Sequence, residues 1–384
     1  MPCLALVGAA IAAALPQEQP PLRIADASAL RAALAAAGPG TVLELAPGDY
    51  GSVHATGVRG TAERPIVIRA AAGGSPTFRA GMHLRAVEHV VLAGLLFADC
   101  PTNGLNIDDA GSSATPSRHV VLRGLRVRDV GGAGNHDGIK LSGVVDFEIV
   151  DCTIERWGRS GSAIDMVGCQ RGRIEDCTIR DLADRPAANG IQMKGGTRDV
   201  VVRRCRFVDA GQRAVQLGGS TGRAYFRPAP AGFEARDLVV EGCTFEGAAA
   251  AIAFVGCDGA LVRHNTIVRP GRWVLRILQE TRDPDFVPCR RGVFVDNLIV
   301  WHGFDTVVNI GPGTAPETFE FARNWWFRSD APARSSPHLP TRERDPADGI
   351  DPRLDDGLRP QHEPARAYGA HALPPRHSIP GRPR

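Results

Sequence analysis

Asp151-Cys152-Thr153-Ile154, Asp176-Cys177-Thr178-Ile179, Arg204-Cys205-Arg206-Phe207 and Gly242-Cys243-Thr244-Phe245 repeat one four-residue pattern. His264-Asn265-Thr266-Ile267, Asp296-Asn297-Leu298-Ile299 and Arg323-Asn324-Trp325-Trp326 carry it on with Asn in place of Cys. The column 152, 177, 205, 243, 265, 297, 324 steps by 22 to 38 residues, the range of a solenoid period with loops inserted. An apolar run leads into it, as in Phe147-Glu148-Ile149-Val150, Val200-Val201-Val202-Arg203 and Leu238-Val239-Val240-Glu241. One coil earlier His119-Val120-Val121-Leu122 plays the same part, with Gly124 read as taking the column position.

A second strand belongs to each coil: Gly138-Ile139-Lys140-Leu141, Ala163-Ile164-Asp165-Met166, Gly190-Ile191-Gln192-Met193, Ala214-Val215-Gln216-Leu217, Ala251-Ile252-Ala253-Phe254, Val274-Leu275-Arg276-Ile277 and Val307-Val308-Asn309-Ile310. Apolar, variable, apolar is a period of two, so the flanking residues point inward and the middle one outward. The pattern predicts an all-β chain, a right-handed parallel β-helix with its Cys and Asn columns stacked inside. Stacked cysteines would have parallel Cβ vectors that suit a disulfide poorly, and no short-range pair suits zinc.

The boundaries follow. Residues 26–37 read as a short N-terminal capping helix that Asp26 or Ser28 starts and 38–40 ends. The β-helix spans 22–330, and 331–384 reads as a Pro- and Arg-rich C-terminal tail without strand pattern. Residues 1–20 read as a signal peptide, an apolar core from Leu4 to Leu15 lacking a positive start. That run is shorter than the ~20 residues a membrane span needs, so the chain is expected to be secreted, periplasmic or extracellular in a bacterium, and monomeric.

Composition narrows the function. In 384 residues there are 44 Gly, 43% hydrophobic and only 6% aromatic residues, which suits many short strands and turns. A net charge of +3 with no basic stretch interleaved with aromatics gives no sign of a nucleic-acid partner. Of the 45 Lys and Arg, only Lys140 and Lys194 are Lys. A bias of that kind follows from a GC-rich genome, and it marks the two lysines.

The outward positions of the second strand run Asn106, Lys140, Asp165, Gln192, Gln216, Ala253, Arg276, Asn309. Two residues on come Asp108, Ser142, Val167 and Lys194. Polar groups thus collect in the middle coils. Strand spacing puts the backbones of Lys140 and Asp165 ~5 Å apart and those of Lys140 and Lys194 ~12 Å apart. Long insertions at 219–235, with Arg223, Tyr225, Phe226 and Arg227, and at 279–289, near Trp273, leave the same strand and would wall a groove. At the strand's entry lies Gly134-Asn135-His136-Asp137-Gly138, with Asn189 and Arg213 at positions matching Asp137.

These residues suggest an acidic polysaccharide as partner. Lys194, Lys140, Arg213 and His136 are the catalytic candidates; Asp165, Gln192, Gln216, Arg276, Tyr225 and Trp273 are the substrate-binding ones. Asp137 and Asp165 are the candidate metal ligands, with Ca2+ the one cofactor the reading carries. Cleaving a uronate polymer by β-elimination needs a neutralised carboxylate, a base for the C5 proton and an acid for the leaving oxygen. Lysine can serve as base once its pKa falls, whereas arginine stays protonated.

The chain resembles the pectate-lyase-like right-handed β-helix superfamily and is most similar to family-6 polysaccharide lyases, the chondroitinase-B and alginate-lyase group. Residues 30–50, Arg64-Pro65-Ile66-Val67-Ile68-Arg69 and Leu92-Ala93-Gly94-Leu95-Leu96-Phe97 carry the likeness. It implies a Lys followed one coil later by an Arg, placed here at Lys194 and Arg213. It also implies acidic calcium ligands shortly before the Lys, where this chain has Arg185, Pro186, Ala187, Ala188, Asn189 and Gly190. Arg213 lies five residues upstream of the position facing Lys194, ~16 Å along a straight strand. A C5-epimerase, a glycoside hydrolase using Asp137 and Asp165, and a non-catalytic carbohydrate-binding or structural solenoid are the alternatives.

Overall fold

The computed structural model describes residues 20–229 and 232–373. Residues 1–19 of the predicted signal peptide, and 374–384, lie outside them. Three parallel sheets of 12, 10 and 12 strands run the length of the molecule. Each coil contributes one strand to each sheet in turn, as with Leu105–Asp108, Ser117–Arg123 and Arg126–Arg128. We name the ten-stranded sheet the groove sheet, because the second-strand repeats build it.

The side-chain columns stack as the repeats predict. Asn265 N donates to Asn297 Oδ1 at 2.9 Å, and Asn297 N donates to Asn324 Oδ1 at 3.0 Å. Each amide also donates back across the coil, to Val240 O, Val262 O and Phe294 O. The thiols copy this pattern weakly: Cys152, Cys177, Cys205 and Cys243 donate to Leu122 O, Ile149 O, Ile174 O and Val202 O at 3.6–3.8 Å. A thiol fills the column at the volume of a small hydrophobe. The eight described cysteines are buried and unpaired, and burial pushes the Cys169 and Cys289 thiols up to about 12.

One reading of the column needs correcting. Arg123 pairs with Val150 and Arg126 with Thr153, so Leu125 takes the column position and Gly124 aligns with Asp151. Both Gly124 (φ 59°) and Asp151 (φ 56°) are left-handed. The turn itself requires that conformation just before the column, where Asp176, Arg204, Gly242, His264, Asp296 and Arg323 share it. Asp and Gly adopt it at low cost; at Arg and His the stacked coils on both sides must hold it.

At the N-terminal end an α-helix, Ala27–Ala36, starts at Asp26, whose side chain accepts from Ala29 N at 2.8 Å. Its buried face, Leu30 and Leu34, joins the main core. At the other end residues 331–373 are built into the fold. Ala347–Asp348 adds a last parallel strand beside Trp325–Arg328. Glu343 accepts from Asn324 N, Asn324 Nδ2 and Trp326 Nε1, ending the amide column. The segment then runs back over the turns: Gly369 N donates to Asp296 O, Ala370 N to Thr266 Oγ1, and Leu373 packs against Gly242.

Candidate functional site

Register in the groove sheet places Asn106, Lys140, Asp165, Gln192, Gln216, Ala253, Arg276 and Asn309 in one row. His83 and His54 extend it upstream. Val167 faces Lys194 in the adjoining row. Because that neighbour is short and apolar, the Lys194 stem leans across it towards Asp165.

The two lysines of the chain therefore meet at one carboxylate. Lys140 Nζ lies 2.6 Å from Asp165 Oδ2 and 3.0 Å from Asp137 Oδ2. Lys194 Nζ lies 3.2 Å from Asp165 Oδ1 and 2.9 Å from Gln192 Oε1. The ~12 Å between backbones is closed by two long side chains that bend inward. Asp165 is 1% exposed and Asp137 3%, while the lysine side chains are 31% and 21% exposed. Carboxylates form the floor of the site and ammonium groups its surface.

Electrostatics follow from that layering. Burial disfavours the charge of Lys140, but Asp165 and Asp137 outweigh it and hold its pKa above the ordinary lysine value. Lys140 is thus held as a cation, an arrangement suited to neutralising an anionic group. Burial, and then the charge of Asp165, raise the pKa of Asp137. Ser162 N donates to Asp137 Oδ1 at 2.8 Å, and Asp137 N donates to Asn103 Oδ1 at 2.7 Å, so the turn is pinned on both sides.

Calcium does not fit Asp137 and Asp165. The ion takes six to eight oxygen ligands, whereas here an ammonium already bridges the two carboxylates. Among the described residues no three His, Cys, Asp or Glu side chains come together to hold a metal.

The remaining candidates lie elsewhere on the groove sheet. Arg213 bends along its strand to bond Gln216 Oε1 and pairs with Glu280 at 2.7 Å. Arg276 bonds Asn309 Oδ1 at 3.0 Å; burial and then Arg213 lower its pKa. The guanidinium groups of Arg276 and Arg272 lie 4.4 and 4.1 Å from the Trp273 ring centre, so a sugar would have to displace a cation–π contact to stack there. Tyr225 is 67% exposed. His136 packs against Gly131 and Gly134, where a Cβ would collide with its side chain, and its ring has no hydrogen-bond partner among the described residues.

Three features escaped the repeat reading. Glu234, fully buried, accepts from Gly195 N, Thr221 N, Thr221 Oγ1 and Thr281 Oγ1, and so ties both long loops to the coil. Arg223 pairs with Asp283 and Asp285, joining the loops to each other, while Arg227 pairs with buried Asp109 at 2.9 Å. His83 bonds Asp108 at 2.6 Å, upstream in the groove. Met82-His83-Leu84-Arg85 carries the apolar–variable–apolar signal that could have revealed it.

Comparison with known proteins follows this geometry. Residues 103–274 match the family model described as a right handed beta helix region. An alginate lyase from Paenibacillus sp. str. FPU-7 is 16% identical, covering 76% of this chain and 95% of its own, with a TM-score of 0.50. A lacto-N-biosidase of family GH136 from Eubacterium ramulus is 12% identical over 84% of this chain and 63% of its own, TM-score 0.55. A tailspike protein of E. coli bacteriophage HK620 is 12% identical over 78% and 61%, TM-score 0.51. The chain thus spans less than two thirds of these last two proteins. No curated protein sequence matches it. No helix among the described residues is long and apolar enough to cross a membrane. In fold, the chain is a right-handed parallel β-helix, the architecture it shares with these proteins.

Proposed function

We propose that the protein acts on an acidic polysaccharide, cleaving a uronate-containing chain by β-elimination at the Lys140–Asp165–Lys194 cluster. The observation that carries this is the convergence of the chain's two lysines on one buried carboxylate. In this reading Lys140 neutralises the uronate carboxylate and so acidifies the neighbouring C5 proton. Lys194, once its ammonium has released a proton to solvent, takes that C5 proton as the amine. The C4–oxygen bond breaks as the C4–C5 double bond forms, and the departing oxygen takes its proton from the new Lys194 ammonium. Gln192 and Gln216 extend the floor that holds the sugar, and Arg213, Arg276, Trp273 and Tyr225 meet it further along.

A hydrolytic pair would need both carboxylates to reach one glycosidic bond. Asp137 and Asp165 are bridged by Lys140 and buried, which supports their role as holders of the lysines. We also propose that the protein is exported and works as a monomer. The Ala27–Ala36 helix would then close the first coil against edge-to-edge pairing.

The test is turnover on purified polyuronates, read as ultraviolet absorbance of the unsaturated product. Cleavage by the wild type and its loss in Lys194→Ala would support the reading. Absence of product from any polyuronate would remove the lyase assignment and leave a binding role.

A further inference from the structure

Beside the groove a second cavity, of ≈420 Å³, opens among three successive connections that enter the groove sheet. Arg159 and Arg185 line it, with Trp157, Val130, Leu182 and Ala187 as its apolar wall. The connections are joined by backbone bonds, Arg159 N to Gly132 O and Ser160 N to Gly134 O, both 3.1 Å.

Its charge is unbalanced. Arg156 also lines it but is spent on Asp129, through two bonds of 2.6 and 2.9 Å. Asp181, the other acid at the wall, is buried and accepts from Ala187 N at 2.6 Å. Neither the Arg159 nor the Arg185 guanidinium has an ion-pair or hydrogen-bond partner among the described residues. Trp157 is 5% exposed and its indole N–H has no acceptor. A buried donor left unpaired is costly, and two guanidinium groups lining the same cavity favour a planar anion that accepts in pairs.

We propose that this pocket binds the carboxylate of a single uronate-type sugar, the ring lying against Trp157 and Leu182 and the anion meeting Arg159 and Arg185. The choice of sugar rests on the proposed function; the anion site does not. The wall residues Gly132 and Ala133 lie in the same connection as His136 and Asp137. An occupied pocket would therefore stiffen the turn beneath Lys140.

The test is calorimetric titration of the whole protein with D-glucuronate, and with D-glucose as the neutral counterpart. Glucuronate is expected to bind wild type and Lys194→Ala alike, and glucose at least about tenfold more weakly, the scale of one charge-assisted contact. The double variant Arg159→Gln, Arg185→Gln should lose at least about tenfold, and Trp157→Phe a smaller factor, without change in thermal midpoint for the exposed arginines. Equal binding by the double variant, or by glucose, would overturn the proposal. So would loss of binding in Lys194→Ala alone, because it would place the sugar in the groove. Glucuronate binding that persists without polymer turnover would sink the lyase reading and leave this pocket standing.

Discussion

Lys140 and Lys194 approach opposite oxygens of the Asp165 carboxylate, at 2.6 and 3.2 Å. The closer contact, with Asp137 behind it, fixes Lys140 as an ammonium. The longer one is an ion pair without a directed hydrogen bond, since Asp165 Oδ1 has no hydrogen-bond partner. Lys194 is thereby the lysine with more freedom to turn towards a substrate.

Replacing Lys194 with Arg separates charge from proton transfer. Turnover should fall by about 10²–10⁴, the usual contribution of a general base, while polyuronate affinity stays within a few-fold. Lys140→Arg should be milder, because Arg can also bridge two carboxylates. Steady-state rates and equilibrium binding on the same variants decide it; full activity in Lys194→Arg would shift attention to His136.

Asp165→Ala leaves the two ammonium groups with Asp137, 3.0 Å from Lys140, as the one carboxylate of the cluster. Breaking a buried ion pair from one side typically costs about 3–5 kcal/mol. Chemical denaturation should show a loss of that size. A change under about 1 kcal/mol would mean that water already screens the cluster.

The pH dependence has a defined sign. Asp137 has a raised pKa in the folded protein, so the native state binds its proton more tightly than the unfolded chain does. Its contribution is present below the unfolded value, about 3.9, and is lost as pH rises through the folded pKa. In Asp137→Asn that acid-range loss should vanish, and the difference between the two proteins' stability curves reports it. Lys140, raised as well, contributes fully below about 10.4 and is lost only in strong alkali.

Arg276 sits four strand spacings from Asp165 in the same row, about 19 Å. Arg276→Ala should therefore raise KM several-fold for long polyuronates and leave short oligosaccharides unaffected. An equal effect on both lengths would remove Arg276 from the groove's reach.

The amide column is stiffer than the thiol column. Asn297→Ala leaves the buried Asn265 backbone N–H unpaired, although Asn324 Oδ1 keeps its bond from the backbone N–H at 297, and should cost about 2–3 kcal/mol. Cys177→Ala removes only long sulfur contacts and a small volume, for about 1 kcal/mol. Urea midpoints of the two variants should rank in that order.

The row from Asn106 to Asn309 was readable from sequence because a two-residue period and a coil repeat together determine which residues share a face. The meeting of Lys140 and Lys194 was not, since column arithmetic measures backbones and says nothing of where a four-carbon stem bends. Leu125 was misread as Gly124 because a glycine marks a turn without saying which residue of the turn it is. The ties made by Glu234 and Arg227 join loops far apart in sequence, and no local pattern announces them.

Asparagine both donates and accepts, so a column of amides can be lengthened without limit, one coil upon the next. Glu343 breaks that symmetry: its oxygens only accept from Asn324 and Trp326. In the vocabulary of polymers it is a chain terminator. A molecule shortened before this residue would present a reactive end, and its expected fate is growth by addition of like molecules into fibres, with a lag and seeding.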